Sequence, residues 1–333
     1  MLYRLYEPSD ACDIVTGWNR IMHADFPLDL RLWQQNVDGC AWTFEPGCWL
    51  AFDDAAPDAP ILAGFVVAKS PGNVSAIGVL PEYQRRGVGR ELLQRAVGAL
   101  RSDAGRTRAA EVAKPNDPPA NLITGQDVLH FFPGVPDTHA DALAFFAACG
   151  WTESAGWCID LTRNLTDFQI APEVQATIAR LAADGIEIRE CRADDVPSLL
   201  QHVEENFSPR WLFETRGRTV IEPDPSEIKI AVRDGKVIGF AQTFTSKSHK
   251  LGPSVYWREL LGPAYGGLGP IGVAKDVRKI GLGLALLSYS VNAVREAGMD
   301  HMAIDWTVLA DFYGKVGFKQ WKRYIPFNMP VAP

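Results

Sequence analysis

The sequence predicts an α/β protein built from two copies of one domain, and three observations predict it. The chain has 333 residues, long for one core, since domains typically run to roughly 100 to 200 residues before a chain divides. A strand-loop-helix stretch recurs without a gap: Ile77-Gly78-Val79-Leu80-Pro81-Glu82-Tyr83-Gln84-Arg85-Arg86-Gly87-Val88-Gly89 lies over Ile271-Gly272-Val273-Ala274-Lys275-Asp276-Val277-Arg278-Lys279-Ile280-Gly281-Leu282-Gly283, at an offset of 194 (271 minus 77). A later block, Phe145-Phe146-Ala147-Ala148-Cys149-Gly150-Trp151, faces Phe312-Tyr313-Gly314-Lys315-Val316-Gly317-Phe318 at an offset of 167 (312 minus 145).

The elements follow in order. Ala63-Gly64-Phe65 and Ile238-Gly239-Phe240 correspond upstream of the motif, and Leu92-Leu93 and Leu286-Leu287 correspond in the helix after it. The two offsets differ by 27, so the first copy carries that many extra residues between the blocks, which fits the Pro-rich stretch from Lys114 to His139. Between the copies, Pro172 to Ala183 places Val174, Ile178 and Leu181 on one helical face, which reads as a linker helix packed on one of the domains. In the second copy Ile186 to Arg189 alternates as a strand, and Asp195 to Glu205 reads as a helix with Asp195 as its cap and Pro197 in its first turn. Ile228 to Val232 and Val237 to Phe240 form a hairpin around Asp234-Gly235, the favoured type I′ pair. A helix from Leu282 to Ala297 stops at Gly298, His301 to Thr307 is the next strand, and Val308 to Val316 the last helix. These readings divide the chain into 1–163, a linker helix within 164–185, and 186–333.

Hydrophobic residues make up 47% and charged residues 22%, the balance of an ordinary globular protein. A net charge of -7 and a pI near 5.4 argue against a protein that neutralises nucleic-acid phosphates and suit a cationic or amine substrate. Cys12, Cys40, Cys48, Cys149, Cys158 and Cys191 form no C-x-x-C pair, so they read as reduced thiols rather than a metal or redox site. The start meets charge and proline before a signal-peptide apolar region forms, and no later stretch stays apolar long enough to span a bilayer, so the expected location is the cytoplasm, without a membrane partner.

The chemistry lies in the motif. A strand ending in Gly-Val leads through Gln84-x-x-Gly87-x-Gly89, or Arg278-x-x-Gly281-x-Gly283, directly into a Leu-rich helix. The first amides of a helix lack intrahelical partners and the macrodipole adds roughly half a positive charge, so a pyrophosphate can bind the backbone there. The glycines let it approach closely, and Arg85, Arg86 and Lys279 add charge. A dinucleotide fingerprint needs a third glycine where Leu92 and Leu286 stand, and a P-loop needs a terminal Gly-Lys-Ser/Thr, which neither copy has.

At these residues the sequence resembles the GNAT superfamily of acetyl-CoA-dependent N-acetyltransferases, whose hallmark is Arg/Gln-x-x-Gly-x-Gly/Ala. The resemblance covers both halves and implies two tandem domains of α/β (α+β) class, each a mixed, mostly antiparallel sheet with helices on both faces. It implies acetyl-CoA as co-substrate, a small-molecule amine acceptor and no metal. By carry-over, Ile77 and Val79, and Ile271 and Val273, pair with the pantetheine arm. The pyrophosphate falls on Gln84, Arg85, Arg86, Gly87, Val88, Gly89 and Arg90 in one copy, and on Arg278, Lys279, Ile280, Gly281, Leu282, Gly283 and Leu284 in the other. The family's tyrosine, which protonates the departing thiolate, is matched by Tyr313. The first copy has Phe146 there and offers no proton, so the second is expected to be the catalytic one and the first to bind CoA or to be degenerate. Among two-domain members the layout is similar to that of mycothiol synthase, although no motif here reads a thiol-sugar acceptor.

The base is open between Asp305, in the strand beside the expected acyl site, and Glu204 or Glu205 at the end of an early helix. The Val273 amide is the candidate oxyanion donor. In the inserted segment, His130 reads either as a base or as a packing residue among aromatics. Trp42, Trp157, Trp211, Trp257, Trp306 and Trp321 line pockets or fill core. A non-catalytic acyl-CoA sensor and a transferase acting on protein N-termini or lysines are the competing functions, and a monomer or homodimer is expected.

Overall fold

The computed structural model describes residues 1–22, 24–55, 61–112, 120–221, 224–252 and 258–331. Along the chain, β1 (Leu2–Leu5) leads into α1 (Ala11–Met22), α2 (Leu30–Trp33), β2 (Trp49–Asp53), β3 (Ile61–Lys69) and β4 (Asn73–Val79). Then come α3 (Val88–Arg101), α4 (Asp103–Val112), β5 (Asn121–Thr124), β6 (Val135–Pro136), α5 (Ala140–Ala148), β7 (Thr152–Glu153) and β8 (Cys158–Asn164). The linker helix is α6 (Pro172–Ala183), with the bounds its apolar spacing predicts. The second copy runs β9 (Ile186–Glu190), α7 (Val196–Asn206), α8 (Pro209–Arg216), β10 (Ile228–Arg233), β11 (Lys236–Thr245), α9 (Arg258–Leu261), β12 (Tyr265–Val273) and α10 (Leu282–Glu296). It ends with β13 (His301–Thr307), α11 (Ala310–Gly314), β14 (Lys319–Ile325) and β15 (Phe327–Pro330).

Local chemistry explains most boundaries. Asp234 and Gly235 both take positive φ (51° and 72°), as a type I′ turn between β10 and β11 requires. Two expectations need correction. The last helix does not begin at Val308: the Thr307 hydroxyl accepts the Leu309 amide at 3.0 Å, a local turn that competes with helix and delays it to Ala310. Asp195 does not cap α7 with its side chain. Its carboxylate instead takes the Arg192 amide at 2.8 Å and the Arg189 guanidinium at 2.6 Å, and the chain enters α7 from a 3₁₀ turn.

By contacts the chain falls into two compact units, Met1–Ile159 with Lys322–Pro333, and the described residues between Asp160 and Trp321. This departs from division at 163 and 186. The first unit's sheet has the order β1-β2-β3-β4-β5-β15-β7, so its strand next to β5 comes from the far end of the chain. Leu122 pairs with Met329 and Ile123 with Asn328, the Phe327 amide donates to the Thr124 hydroxyl at 2.9 Å, and the Phe327 ring stacks on Phe146 at 5.7 Å. In the second unit β8 holds the corresponding place beside β13, in the order β8-β13-β12-β11-β10-β9. Each sheet is antiparallel along most of its length and contains a parallel pair, β4 with β5 and β12 with β13.

In the second unit β10 and β11 are covered on both faces. Ile228, Ile230 and Phe240 pack with Leu199 and Val203 of α7. Ala231 and Ile238 pack with Leu181 of α6 and with Leu282 and Ala285 of α10. The linker helix is thus part of the second unit's core. Trp18, Trp33 and Trp151 are buried, whereas Trp42, Trp157, Trp211, Trp306 and Trp321 are half-buried or exposed. Trp257 and Lys114 to Pro119 of the inserted stretch lie outside the described residues.

Candidate active site

The backbone opens a slot in both sheets. In the second unit β12 pairs with β13 only at Tyr265↔His301, Gly266↔Met302 and Gly267↔Ala303, after which the two strands part. The Ala274 amide donates to the Ile238 carbonyl at 2.9 Å, toward β11. Successive N–H groups of a strand point to alternate sides, so those of Val273 and Ile271 point away from β11, into the opening. The first unit repeats this: β4 and β5 pair only at Asn73↔Ile123 and Val74↔Thr124, and the Leu80 amide donates to Ala63, which turns Val79 and Ile77 into the gap. The four strand residues picked from sequence are therefore the ones whose backbone groups face the slots.

The loop after each slot has one geometry in both copies. Arg85 and Gly87 take φ of +60° and +88°, and Lys279 and Gly281 take +68° and +87°. Two left-handed residues separated by one turn successive N–H groups toward a common concavity, an anion-binding nest at the start of α3 or α10. Gln84 fastens its own loop by donating to the Val79 carbonyl at 2.9 Å, and Arg90 donates to the Ala148 carbonyl at 3.3 Å. Arg85, Arg86, Arg278 and Lys279 are exposed at the rim. Val88 and Leu282 are buried, so they offer only their amides, while Gly89, Ile280, Gly283 and Leu284 are half-buried. A Cβ at Gly89 would stand 3.3 Å from Phe145 and from Val79, a tight fit, whereas at Gly283 it would meet Phe312 at an ordinary 3.9 Å.

Around the second slot the titratable groups converge. Asp305 Oδ1 lies 3.4 Å from where a Cβ on Gly269 would be, so the carboxylate stands directly over the parted strand. The neighbouring Trp306 adopts φ +44°, and its amide donates to the buried Asp160 carboxylate on β8 at 3.1 Å, which holds the backbone next to Asp305 in this left-handed conformation. Tyr313 is buried on α11 between Phe312 and Phe318. Burial raises its phenol well above the ordinary range, the Asp305 charge raises it further, and a hydrogen bond with Thr307 opposes both. The Arg210 guanidinium stacks 4.2 Å above Trp306 and donates to Glu214 at 3.2 Å. Glu204 and Glu205, by contrast, lie on the exposed face of α7, where Glu205 accepts a bond from Gln201.

The first unit lacks this constellation. The strand pairings align Ile123 with Ala303, an offset of 180 (303 minus 123), because Asn73 and Gly267 are already aligned by the motif. Gln126, with φ +59°, then matches Trp306, and Gly125 stands where the second unit has Asp305. Both the carboxylate and the phenol are missing. The face itself is filled by the inserted segment: Phe131 is wholly buried against Trp18 and Trp33, and Phe132 stacks on Trp18. Lys69 Nζ pins the segment through the carbonyls of Val128 (2.9 Å) and Leu129 (2.8 Å), and ion-pairs with Asp127 at 2.8 Å, which in turn accepts from Ser75. His130 is buried in the same segment, as the packing alternative requires. Lys69 and Asp127 have side chains fully out of water, so removing one strands the other. Asp127→Ala is expected to cost about 3–5 kcal/mol in urea unfolding.

Sequence reasoning missed Arg210, Glu214, Thr307 and Asp160. Ser208-Pro209 is a legible helix start, with Ser208 Oγ accepting the Trp211 amide, and it carries Arg210 and Glu214 at i,i+4 spacing. Asp160 had no such signal, since β8 joins the second unit only through tertiary structure. Among the described residues, no group of three or more His, Cys, Asp or Glu side chains is arranged to hold a metal, and no helix is long and apolar enough to cross a membrane.

Comparison with known proteins gives concordant results. Three solved structures resemble the chain along nearly its whole length. A fungal protein described as a GCN5-related glucosamine N-acetyltransferase region of a multi-domain GH3 β-N-acetylglucosaminidase has a TM-score of 0.84 and 24% identity over 98% of this chain. This chain spans 38% of that protein's length. A GCN5-related N-acetyltransferase from Sphaerobacter thermophilus has a TM-score of 0.68 and 18% identity, covering 100% of this chain and 96% of that one. A tandem GNAT protein from the clavulanic acid biosynthesis pathway has a TM-score of 0.63 and 14% identity, covering 100% and 99%. At these identities the likeness is one of fold, two GNAT-like domains in one chain. No match was found among curated proteins. The sequence model of the acetyltransferase (GNAT) family matches residues 15–123 and again 193–318, one segment in each copy and well over half of the chain. The chain therefore belongs to the GNAT family of acetyltransferases.

Proposed function

We propose that the second unit transfers an acetyl group from acetyl-CoA to the primary amine of a small polar acceptor, and that the first unit is not catalytic. The observation that carries this is the convergence of Asp305 and Tyr313 on an open slot in one unit, against Gly125, Phe146 and a filled face in the other. The nest at Lys279 to Gly281 suits a diphosphate, and the outward amides of Ile271 and Val273 suit an extended amide-bearing arm.

Acetyl-CoA supplies an activated thioester. The protein's part is then positioning and proton transfer. Asp305 attracts the acceptor's ammonium and takes a proton from it, leaving the neutral amine free to attack the carbonyl. The Val273 amide faces the side on which the carbonyl oxygen gains charge. As the C–S bond breaks, Tyr313, kept protonated by its burial, donates its proton to the departing sulfur; the newly bonded nitrogen sheds its second proton to solvent, and the proton held by Asp305 restores the phenol. The net release is one proton to solvent per amide formed.

An amino sugar is the acceptor this reading favours. Trp306 offers an aromatic wall beside Asp305, Arg210 and Glu214 offer partners for hydroxyl groups, and the fungal structure of similar fold is described as a glucosamine N-acetyltransferase region. The test is turnover of acetyl-CoA with glucosamine, a lysine-containing peptide and a simple alkylamine, using Gly87→Glu and Gly281→Glu variants, which place bulk and negative charge in one nest each. Both glycines have φ near +88°, so the backbone strain is matched, but a Cβ meets nothing within 4 Å at Gly87 and lies 2.8 Å from Thr177 Cγ2 at Gly281, so urea unfolding of each variant accompanies the kinetics to show that the fold is kept. Gly281→Glu is expected to abolish turnover and Gly87→Glu to spare it. The reverse pattern would make the first unit the catalyst, and preference for the peptide would replace the sugar with a protein amine.

A further inference from the structure

The two nests share a backbone but not their surroundings. Around Gly87 nothing lies within 4 Å of the point a Cβ would occupy, whereas at Gly281 that point is 2.8 Å from Thr177 Cγ2 and 3.9 Å from Arg180 Nη2. Thr177 and Arg180 belong to α6, the helix that joins the copies. Val174 and Leu181 of α6 are buried, and Leu181 packs with Ala274, Val277, Leu282 and Ala285, the residues that flank the second nest. The helix is therefore seated on the loop by its apolar face, with Arg180 at the edge of that contact.

Arg180 makes one bond there that bears on the nest. Its Nη2 donates to the Ile280 carbonyl at 2.6 Å, and its Nη1 reaches Asp184 at 3.3 Å. In a trans peptide the C=O and the following N–H point in opposite directions. Holding the Ile280 carbonyl toward α6 therefore turns the Gly281 N–H away from α6, to the opposite side of the same peptide plane. A charged donor makes this bond stronger than a neutral one. The left-handed Gly281 is thus set by a side chain from outside the motif, and Asp184 limits the rotamers from which that side chain acts.

We propose that Arg180 is a positioning residue for acetyl-CoA at the second unit: it fixes the Ile280–Gly281 peptide so that the nest is formed before the diphosphate arrives. This rests on the acetyl-CoA reading above. The linker helix is then a functional component of one active site and not a spacer.

The experiment is steady-state kinetics of the full chain as wild type, Arg180→Ala and Arg180→Lys, with acetyl-CoA and with acetyl-pantetheine, which carries the thioester and arm but no diphosphate. Arg180→Ala is expected to raise KM for acetyl-CoA about tenfold with kcat little changed, and to leave KM for acetyl-pantetheine where it was. Arg180→Lys should recover part of the loss, because an ammonium can still meet the carbonyl. An unchanged KM for acetyl-CoA in Arg180→Ala, or an equal rise with both donors, would overturn the proposal while leaving the acetyltransferase reading intact. A wild-type chain that neither binds nor turns over acetyl-CoA would overturn the reading itself.

Discussion

Replacing Tyr313 by phenylalanine is expected to lower kcat by roughly 10²-fold or more, with KM for acetyl-CoA changed by no more than about twofold. The ring stays in its place between Phe312 and Phe318, so the fold should tolerate the change. What is lost is a phenol that burial and the Asp305 charge both hold in its protonated form far above neutral pH. A group so raised stays protonated through the working pH range, so an alkaline fall in the wild-type rate should not trace to its ionisation. The measurement is thiol release under saturating acceptor, across a pH series. A Tyr313→Phe enzyme that keeps the wild-type rate would remove the acid from this role. The mirror substitution, Phe146→Tyr, is expected to create no second activity, because Gly125 leaves that unit without a carboxylate and its face is filled.

The second large effect is on folding. Ending the chain after Ile325 deletes β15, which lies between β5 and β7 in the first unit's sheet. Phe327 alone is 1% exposed and stacks on Phe146. Phe327→Ala is therefore expected to cost about 3–5 kcal/mol, and the truncation more, because it also unpairs the backbone of β5. Urea unfolding followed by hydrogen exchange of the β5 amides reads both. Loss of protection at Leu122, distant in sequence from the change, is the expected signature, while the Ile123 amide, which donates to the Gly72 carbonyl, keeps its partner. Unaltered unfolding of the truncated chain would mean that β15 contributes little to the first unit.

Much of this molecule was legible from local pattern. The motif loops, the Asp-Gly hairpin, the bounds of β13 and the linker helix all follow from spacing, turn chemistry and the handedness of particular glycines. What could not be read depends on partners far away in sequence. Nothing in Phe327-Asn328-Met329-Pro330 says which sheet it joins, since a short strand specifies alternation but not its neighbour. The match of Gly125 to Asp305 was equally hidden, because the insertion destroys the alignment between the two blocks and only strand register restores it. Arg180 stands at an exposed position of the linker helix, and nothing in the helix pattern marks it out. Its role arises from the carbonyl it meets, and backbone carbonyls leave no trace in a sequence pattern.

The placement of β15 also sets an order of events. On a ribosome the residues of β1 to β5 emerge long before 327–330, yet the sheet they form has one edge that only that late segment covers. The pairing of Leu122 with Met329 closes a loop that contains the whole second unit, a contact of a kind that is slow to form because its entropy must be lost before it is rewarded. Until then the nascent first unit presents an open strand edge, the surface through which chains most readily pair with one another. Cells making this protein should therefore be most exposed to its aggregation during synthesis, and chaperone dependence should fall sharply once the final strand is available.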